Sequence, residues 1–252
     1  MNQFGTRVLG LLPARGGSKG LPGKNLAMIA GKPALQWAAN ALLESELVFG
    51  SICSTDSQEI AQTARNCGLS VPFMRPKRLA RDSTLVRDVI LHSLAAMSET
   101  RGEIYDYVAL VQATSPTVEA HDIDDGIEMA ISRGYDTVIS ACKIPQRFHP
   151  NLTFSAREGE VSAWTADIQI AEKRRQDWDG IYSRSGLFYI FKVDALQANQ
   201  GFYAGKTGFI EIEPGRAISI DTVEDLQKAR EYMGRNSFEA EEKYSSDWKN
   251  GH

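Results

Sequence analysis

The amino-acid sequence predicts an α/β fold in three layers, with helices covering both faces of a mostly parallel β-sheet. Three observations support this prediction. Apolar runs of strand length alternate with amphipathic segments of helix length over residues 8–141, a pattern typical of parallel strands joined by helical crossovers. The chain has 252 residues, which is enough for one large domain of this class. A β-rich segment interrupts the alternation after residue 145, and the α/β pattern returns near residue 209.

The alternation can be followed along the chain from its first apolar run. That run, Val8–Leu12, predicts a short buried strand. A helix is predicted at Pro33–Ser45, because proline suits a first helical turn and apolar residues recur there at helical spacing. A second helix is predicted to begin at a capping box of Asp56 and Glu59 and to end near Cys67. Further strands are predicted at Val48–Ser54, Ser70–Met74, Tyr107–Gln112 and Asp136–Ala141, with further helices at Thr84–Met97 and Ala120–Arg133.

The pattern changes between residues 145 and 205. These residues include short apolar stretches, aromatic residues and prolines, without a clear long helix. We interpret this segment as containing a small β-rich lobe that is inserted into a single α/β domain spanning residues 1–233. Residues 234–252 are polar and are predicted to form a frayed C-terminal tail.

The α/β pattern returns before this tail. Apolar runs at Phe209–Ile212 and Ile218–Ile220 are interpreted as strand-like segments. Asp221 and Glu224 have the spacing of a capping box, which predicts a last helix that ends near Met233. The sequence contains no internal repeat and no low-complexity tract, so the pattern favours one mixed α/β unit.

Composition and charge argue against several kinds of partner. The sequence is 42% hydrophobic and 24% charged, and no stretch approaches the roughly eighteen consecutive apolar residues of a membrane-spanning helix. Its net charge of −4 gives no reason to expect a nucleic acid as partner. The three cysteines, Cys53, Cys67 and Cys142, lack metal-site spacing and suit buried thiols in a reducing compartment. We therefore expect a cytoplasmic protein that binds neither a nucleic acid nor a membrane.

One short segment concentrates glycine and positive charge directly after the first predicted strand. The sequence LLPARGGSKGLPGKN at residues 11–25 contains four glycines together with Arg15, Lys19 and Lys24, and the first acidic residue of the chain is Glu44. Ligands of open α/β sheets bind at the carboxyl ends of the strands. Glycines let backbone N–H groups approach an anion closely. The segment therefore predicts a polyphosphate-binding loop, and a purely structural glycine turn is the alternative.

Two well-known phosphate-binding motifs do not fit this segment. A P-loop needs a glycine where this chain has Ser18, and it needs serine or threonine where this chain has Asn25. The dinucleotide-binding pattern G-x-G-x-x-G is also absent, because Gly16 and Gly17 are adjacent. The segment is therefore interpreted as a phosphate-binding loop of another kind.

The segment LPARGGSKGLPGKN closely resembles the signature of the acylneuraminate cytidylyltransferases, which are also called CMP-sialic acid synthetases. The resemblance covers about residues 7–233 and implies a Rossmann-like nucleotidyltransferase sheet whose inserted lobe serves dimerisation. It implies transfer of CMP from CTP to the anomeric hydroxyl of a nonulosonic, sialic-acid-like sugar acid, with release of pyrophosphate. The other stretches that resemble family motifs, in the family's order, are Ser54-Thr55-Asp56, Arg75-Pro76, Leu79-Ala80, Asp82-Ser83-Thr84, QATSP at residues 112–116, Arg174-Arg175-Gln176-Asp177, Gly186-Leu187-Phe188-Tyr189, Ile220-Asp221-Thr222 and Glu224-Asp225-Leu226.

The resemblance also implies roles for individual residues on the nucleotide side. Arg15 and Lys19 are expected to hold the triphosphate, and together with Asp221 they form the expected catalytic set. Arg75 is expected to reach the nucleotide or its phosphates, although an arginine before a proline is also consistent with a surface position. The backbone just after the first strand is expected to read the cytosine. The CTP-binding residues expected besides the catalytic set are Ala14, Gly16, Asn25 and Arg75.

A second set of residues is implied for the sugar-acid side. Gln112 follows a predicted strand and suits an acceptor contact, with capping of the following turn as the alternative. Tyr189 is expected to pack on the sugar, with a place in the strand core as the alternative. Two aromatic residues are expected to reach the site of the neighbouring subunit, which implies a homodimer. The expected substrate-binding residues are Gln112, Arg175, Tyr189, Phe202 and Tyr203, with Arg174 as the alternative to Arg175.

Magnesium is the expected cofactor, with Asp221 as its ligand. The family's closing motif commonly has two carboxylates, whereas this chain has Ser219 in place of the first. Phosphate oxygens and water can complete the coordination of magnesium, so the loss does not exclude the ion. Asp221 could also serve only as the N-cap of the last helix. Ser185, where relatives usually carry asparagine, leaves open a different acceptor such as an eight-carbon 3-deoxy sugar acid, and Ser219 leaves open a nucleotide-binding protein without turnover.

Overall fold

The computed structural model describes residues 2–164, 180–198, 203 and 205–235 of the chain. None of the helices in these ranges combines the length and the apolar character that crossing a membrane requires. The strands are β1 (Val8–Pro13), β2 (Met28–Ile29), β3 (Lys32–Pro33), β4 (Gly50–Ser54), β5 (Tyr107–Val111), β6 (Thr137–Lys143), β7 (Phe154–Arg157), β8 (Glu160–Ala163), β9 (Tyr182–Lys192) and β10 (Thr207–Glu211). The α-helices are α1 (Ala34–Glu44), α2 (Gln58–Asn66), α3 (Val86–Arg101), α4 (Ala120–Arg133), α5 (Val193–Gln197) and α6 (residues 223–235).

Six strands form the main sheet in the order β10-β6-β9-β5-β1-β4. β1 pairs in parallel with both β4 and β5, and β10 pairs in parallel with β6. β9 lies between β5 and β6 and runs antiparallel to both. The other strands of this sheet therefore share one direction, and their carboxyl ends form one edge. In open α/β sheets this edge is the usual place for a ligand.

Two hydrophobic layers cover the two faces of the sheet. Successive side chains of β1 point to opposite faces, as the pleat of a strand requires. Val8 and Leu12 are fully buried together with residues of α1, α2 and α4. Leu9 and Leu11 are fully buried together with residues of α3 and α5. The predicted three-layer α/β architecture with a mostly parallel sheet is confirmed.

The start of α2 differs from the prediction by one residue. Ser57 is the N-cap, and its Oγ accepts a hydrogen bond from the Ile60 N–H at 3.4 Å. The Asp56 carboxylate instead accepts a hydrogen bond from the Gly16 N–H, with 2.9 Å between Oδ1 and N. The predicted capping box of Asp56 and Glu59 is therefore wrong, and Asp56 holds the glycine-rich loop rather than the helix.

The start of α6 differs in the same way. Thr222 Oγ1 accepts a hydrogen bond from the Asp225 N–H at 3.2 Å, and Asp225 Oδ2 accepts one from the Thr222 N–H at 3.0 Å. This reciprocal pair is a capping box, so the predicted box of Asp221 and Glu224 is wrong by one residue. The alternative that the Asp221 side chain serves only to cap this helix is wrong for the same reason.

Two predicted strands are not formed. Within Ser70–Met74 a single residue bridges to β4, and Pro72 lacks the N–H that a longer ladder would need. The segment Ile218–Ile220 has no strand pairing with any residue that the structure describes, and Ile220 is buried against Leu226 of α6. Its apolar character therefore reflects burial beneath the last helix. The remaining predicted strands and helices are confirmed, with differences only at their ends.

The structure divides the segment in which the inserted lobe is predicted, residues 145–205. Its strand β9 has eleven residues and lies in the middle of the main sheet. β7 and β8 form a separate two-stranded hairpin. Around this hairpin, Phe154, Val161 and Trp164 are 62%, 66% and 71% exposed. The described part that stands apart from the main sheet is therefore shorter than the predicted segment, and residues 165–179 lie outside the described residues.

Candidate active site

A cleft of about 270 Å³ opens at the carboxyl edge of the sheet, beyond the ends of β1 and β5. Four basic side chains and one carboxylate line it, so the described lining carries a net positive charge. A cleft with this charge in this position suits an anionic ligand. Its charged and amide side chains are Arg15, Lys24, Asn25, Arg75, Arg81, Asp82 and Gln112.

The glycine-rich loop after β1 forms one wall of this cleft, and buried hydrogen bonds fix its beginning. The Ala14 N–H donates to the Ser54 carbonyl at 3.0 Å, which continues the pairing of β1 with β4 beyond the strand ends. Asn25 is only 5% exposed, and its Nδ2 donates to the Arg15 carbonyl at 3.0 Å. Asn25 therefore braces the loop from behind while it borders the cleft. The Ala14 N–H is engaged by the protein itself.

The glycines of the loop are required for different reasons. Gly20 allows the loop to approach the segment before α6, because an added Cβ would lie 2.8 Å from the Asp221 carbonyl oxygen. Gly23 has a φ of +71°, in the left-handed region that favours glycine. Gly16 keeps an ordinary φ, and its N–H donates to Asp56. The close approach of the loop to the Asp221 carbonyl thus depends on Gly20, and the left-handed turn depends on Gly23.

Arg15 and Lys19 converge on one carboxylate. Arg15 NH1 pairs with one oxygen of Asp82, and Lys19 Nζ lies 2.6 Å from the other. The hydrogen bonds from Lys19 and Arg15 hold the pKa of Asp82 below its usual range. The Lys19 side chain is 84% exposed and is not part of the cleft lining, whereas Arg15 is. The structure thus places both expected triphosphate ligands beside Asp82, with Arg15 in the lining of the cleft and Lys19 outside it.

Arg75 is buried, so the alternative of a surface arginine is wrong. It is 6% exposed, and its guanidinium donates to the Ser54 carbonyl and, at 3.1 Å, to Ser54 Oγ. Burial lowers the pKa of Arg75, and the nearby Asp56 carboxylate partly opposes this effect. Arg75 therefore supports the end of β4 and also presents a cation to the cleft.

Lys24 borders the cleft but is missing from the site residues expected from sequence. Its Nζ lies 2.7 Å from Asp221 Oδ1 and donates to the Ile220 carbonyl at 3.0 Å. The Lys24 side chain is 20% exposed, and the Asp221 side chain is 70% exposed. Lys24 therefore joins the loop to the segment before α6. Its place among the three basic residues of one loop was the signal in the sequence.

The residues expected on the acceptor side are only partly brought together. Gln112 lines the cleft, and the turn that follows is closed by its carbonyl, which accepts a backbone N–H three residues later at 3.0 Å. Tyr189 is buried in β9 with its ring stacked 6.0 Å from that of Phe191, and burial raises its pKa. This position favours the strand-core alternative. Tyr203 is 48% exposed. Arg175 and Phe202, together with the alternative Arg174, lie outside the described residues.

A buried hydroxyl without a partner lies at the same edge of the sheet. Ser185 is 8% exposed, and its Oγ has no hydrogen-bond partner among the described residues. The next residue, Gly186, has a φ of +80°, and its carbonyl accepts a hydrogen bond from Ser115 Oγ at 3.3 Å. A Cβ added to Gly186 would lie 4.0 Å from Ser219 Cβ. Ser219 therefore lies beside Gly186, the residue that follows Ser185, and these two serines are the departures noted in the sequence.

Comparison with known proteins gives consistent results. The chain matches the family model described as Cytidylyltransferase over residues 9–244. It is 31% identical to N-acylneuraminate cytidylyltransferase A of Danio rerio over 239 residues, which cover 94% of this chain and 53% of that protein. It is 29% identical to CMP-N,N'-diacetyllegionaminic acid synthase of Legionella pneumophila over 232 residues, which cover 91% of this chain and 97% of that protein.

A solved structure shares the fold. A CMP:2-keto-3-deoxy-manno-octonic acid synthetase complexed with CTP superimposes with a TM-score of 0.69 at 18% identity, covering 92% of this chain and 100% of that one. At this identity the likeness concerns the fold. The chain spans about half the length of the fish N-acylneuraminate cytidylyltransferases that it matches, at 53% and 50% of their length.

Proposed function

The chain belongs to the cytidylyltransferase family, and on this premise we propose that it transfers CMP from CTP to a nonulosonic, sialic-acid-like sugar acid. The anomeric hydroxyl of the acceptor attacks the α-phosphorus, a new O–P bond forms, and the bond between the α- and β-phosphates breaks. Pyrophosphate leaves, and the hydroxyl proton passes to solvent. The relatives named for N-acylneuraminate and for N,N'-diacetyllegionaminic acid support this class of acceptor.

The observation that carries the proposal is the positively charged cleft at the carboxyl edge of the sheet. Arg15 and Lys24 line it from the glycine-rich loop, and Arg75 lines it from a later segment that hydrogen-bonds the end of β4. Nucleotidyl transfer depends on positioning and on neutralising charge at the phosphates and the leaving group. Fixed cations in a cleft supply this neutralisation without reorganising during the reaction. We place the triphosphate along the loop and the acceptor towards Gln112.

We include magnesium in this proposal. Magnesium in nucleotide-binding sites is commonly held by one or two carboxylates together with substrate phosphates. One oxygen of Asp221 pairs with Lys24, and the other oxygen of this exposed carboxylate fits that pattern. The described part of the chain contains no group of three or more potential metal ligands. The residues present therefore fit an ion that arrives with the nucleotide and that Asp221 holds on the protein side. When bound, such an ion neutralises phosphate charge.

The acceptor panel is the experiment that tests this function. The purified protein is mixed with CTP, magnesium and each of several sugar acids, including an eight-carbon 3-deoxy acid, and released pyrophosphate is measured. We expect release with at least one nine-carbon acid. Release only with the eight-carbon acid would correct the acceptor class, and the departures from the family pattern at Ser185 and Ser219 make this outcome worth testing. CTP binding without release from any acceptor would instead identify a nucleotide-binding protein without turnover.

A variant of the loop separates specific from nonspecific CTP binding. Lys19→Glu places a negative charge beside Asp82, where the triphosphate is proposed to bind. We expect this variant to lose CTP binding, because the phosphates would meet two carboxylates and one fewer cation. Unchanged CTP affinity would remove the loop from the proposed site.

Two further properties belong to the same proposal. We propose a homodimer in which the segment around the β7–β8 hairpin contributes to the interface, and the exposed side chains of Phe154, Val161 and Trp164 support it. Sedimentation of the purified protein tests it, with a monomer as the contradicting result. We also propose a cytoplasmic location, which the free thiols of Cys53, Cys67 and Cys142 support.

A further inference from the structure

Asp82 is the one acidic side chain among the described residues that line the cleft. Its two carboxylate oxygens are divided between the two cations of the glycine-rich loop that are expected to hold the triphosphate. Oδ1 pairs with Arg15, and Oδ2 lies 2.6 Å from Lys19 Nζ. Asp82 belongs to the connection between the short turn at Lys77–Leu79 and α3, a segment that lines the cleft together with the loop. The carboxylate therefore links this segment to the loop.

The loop does not need this bridge to keep its shape. Its backbone is held independently, because Asn25 donates to the Arg15 carbonyl and Asp56 accepts the Gly16 N–H. The pairs with Asp82 involve only side-chain ends, and the side chains of Lys19 and Asp82 are 84% and 41% exposed. Such ion pairs are weak and reversible in water.

Each pair with Asp82 uses one nitrogen of its cation, NH1 of Arg15 and Nζ of Lys19, so an anion that takes these same donors must replace the carboxylate. A donor that hydrogen-bonds a carboxylate oxygen is not free for a phosphate oxygen, and two anions at one pair of cations repel each other. The lowered pKa of Asp82 means that this carboxylate stays charged across the neutral range. The need to displace Asp82 thus lowers the affinity for the nucleotide at every pH at which the enzyme would work.

We propose that Asp82 is an internal counter-anion that competes with the triphosphate of CTP for Arg15 and Lys19, so that nucleotide binding opens the bridge between Asp82 and the loop. This inference rests on the proposed function, because it takes CTP as the ligand of the loop. Asp82 acts through the two cations and is not itself a contact of the bound nucleotide. In the absence of CTP it pairs with both cations and offsets one of their two positive charges.

Substitution of the carboxylate by its amide tests the competition directly. Asp82→Asn keeps the size of the side chain and removes the charge. We expect the dissociation constant for CTP, measured by calorimetry without acceptor, to fall by about three- to tenfold, because each exposed ion pair contributes little. Asp125→Asn is the matched control, since Asp125 is exposed on α4 and forms no ion pair within the described part of the chain. We expect its CTP affinity to match that of the unchanged protein.

Two more measurements separate competition from a general change in charge or folding. The gain in Asp82→Asn should appear with CTP and vanish with cytidine, because cytidine has no phosphates to compete with the carboxylate. The gain should also shrink in about 1 M salt, where interactions between exposed charges are screened within a few ångströms. A gain that is equal for cytidine, or that persists in high salt, would contradict the proposal.

The outcomes distinguish this inference from the function on which it rests. If the unchanged protein does not bind CTP, the proposed function and the inference both fail. If it binds CTP and Asp82→Asn binds with equal or lower affinity, only the inference fails, and Asp82 is then needed to hold the loop or the ligand. Tighter binding by Asp82→Asn alone, restricted to the phosphorylated nucleotide, supports the inference.

Discussion

Replacement of Lys24 by methionine is the sharpest single test of the proposed site. Methionine keeps most of the length of the side chain but removes the ammonium group. In the folded protein the lost contacts are the ion pair with Asp221 and the hydrogen bond to the Ile220 carbonyl, at 2.7 Å and 3.0 Å. The Asp221 side chain is 70% exposed, so the pair is well solvated. We expect the free energy of unfolding to fall by only about 1 kcal/mol.

The effect on catalysis should be larger. Lys24 is 20% exposed and lines the cleft in which the triphosphate is proposed to bind. Loss of one fixed group that stabilises developing charge in a transition state typically costs about 3–4 kcal/mol. This corresponds to a decrease of roughly 10²- to 10³-fold in kcat/KM for CTP. A change that is small for folding and large for turnover is the signature of a residue that acts on the substrate.

Steady-state pyrophosphate release with varied CTP measures this change, and thermal unfolding of the same samples measures stability. Lys228→Met is the matched control, because Lys228 is 68% exposed on α6 and does not line the cleft. Its kcat/KM should equal that of the unchanged protein. A kcat/KM for Lys24→Met within about threefold of that control would refute the assignment, since a charge-assisted contact typically contributes more.

Three other predictions follow from the geometry. Gly20→Ala should raise the dissociation constant for CTP by about tenfold, because the new Cβ contacts the Asp221 carbonyl oxygen and the loop must shift, at a typical cost of about 1–3 kcal/mol. Gly17→Ala is the control in the same titration, because a Cβ at Gly17 meets open space. Thr222→Ala should lower the unfolding free energy in urea by about 1 kcal/mol, as loss of an N-cap does, whereas Asp221→Ala should change it less. Arg75→Lys should lower the same free energy by about 2 kcal/mol, because lysine cannot replace both guanidinium hydrogen bonds; unchanged stability would contradict this.

The layers of the fold could be predicted from sequence because hydrophobic periodicity reports which face of an element is buried. Helix α4 has the predicted bounds, Ala120–Arg133, since its apolar spacing and flanking residues agree. The place of β9 could not be predicted in this way. Strand order is a property of the whole sheet, and the apolar run at Tyr182–Lys192 does not indicate that it lies antiparallel between two parallel strands. β9 was assigned to the lobe because it follows an irregular segment in the sequence.

The candidate site was predictable where chemistry is concentrated in one stretch. Arg15, Asn25 and Gln112 border the cleft, because a basic glycine-rich loop and a strand end converge at one edge of a parallel sheet. The position of Tyr189 was not predictable, since alternation along a strand leaves either face open until the partner strands are known. Roles of magnesium and of the second subunit stay predictions, because they concern partners of the chain.

The two errors in helix capping have one physical cause, and they locate the site. Asp56 and Asp221 each precede a helix at the carboxyl edge of the sheet, where an acidic residue suits the helix N-terminus. In both cases the next residue, Ser57 or Thr222, provides the cap. Each aspartate is thereby free to contact the glycine-rich loop, one through a backbone N–H and the other through Lys24. When a neighbouring hydroxyl caps a helix at this edge, an acidic residue before that helix is therefore a candidate for holding a cationic loop.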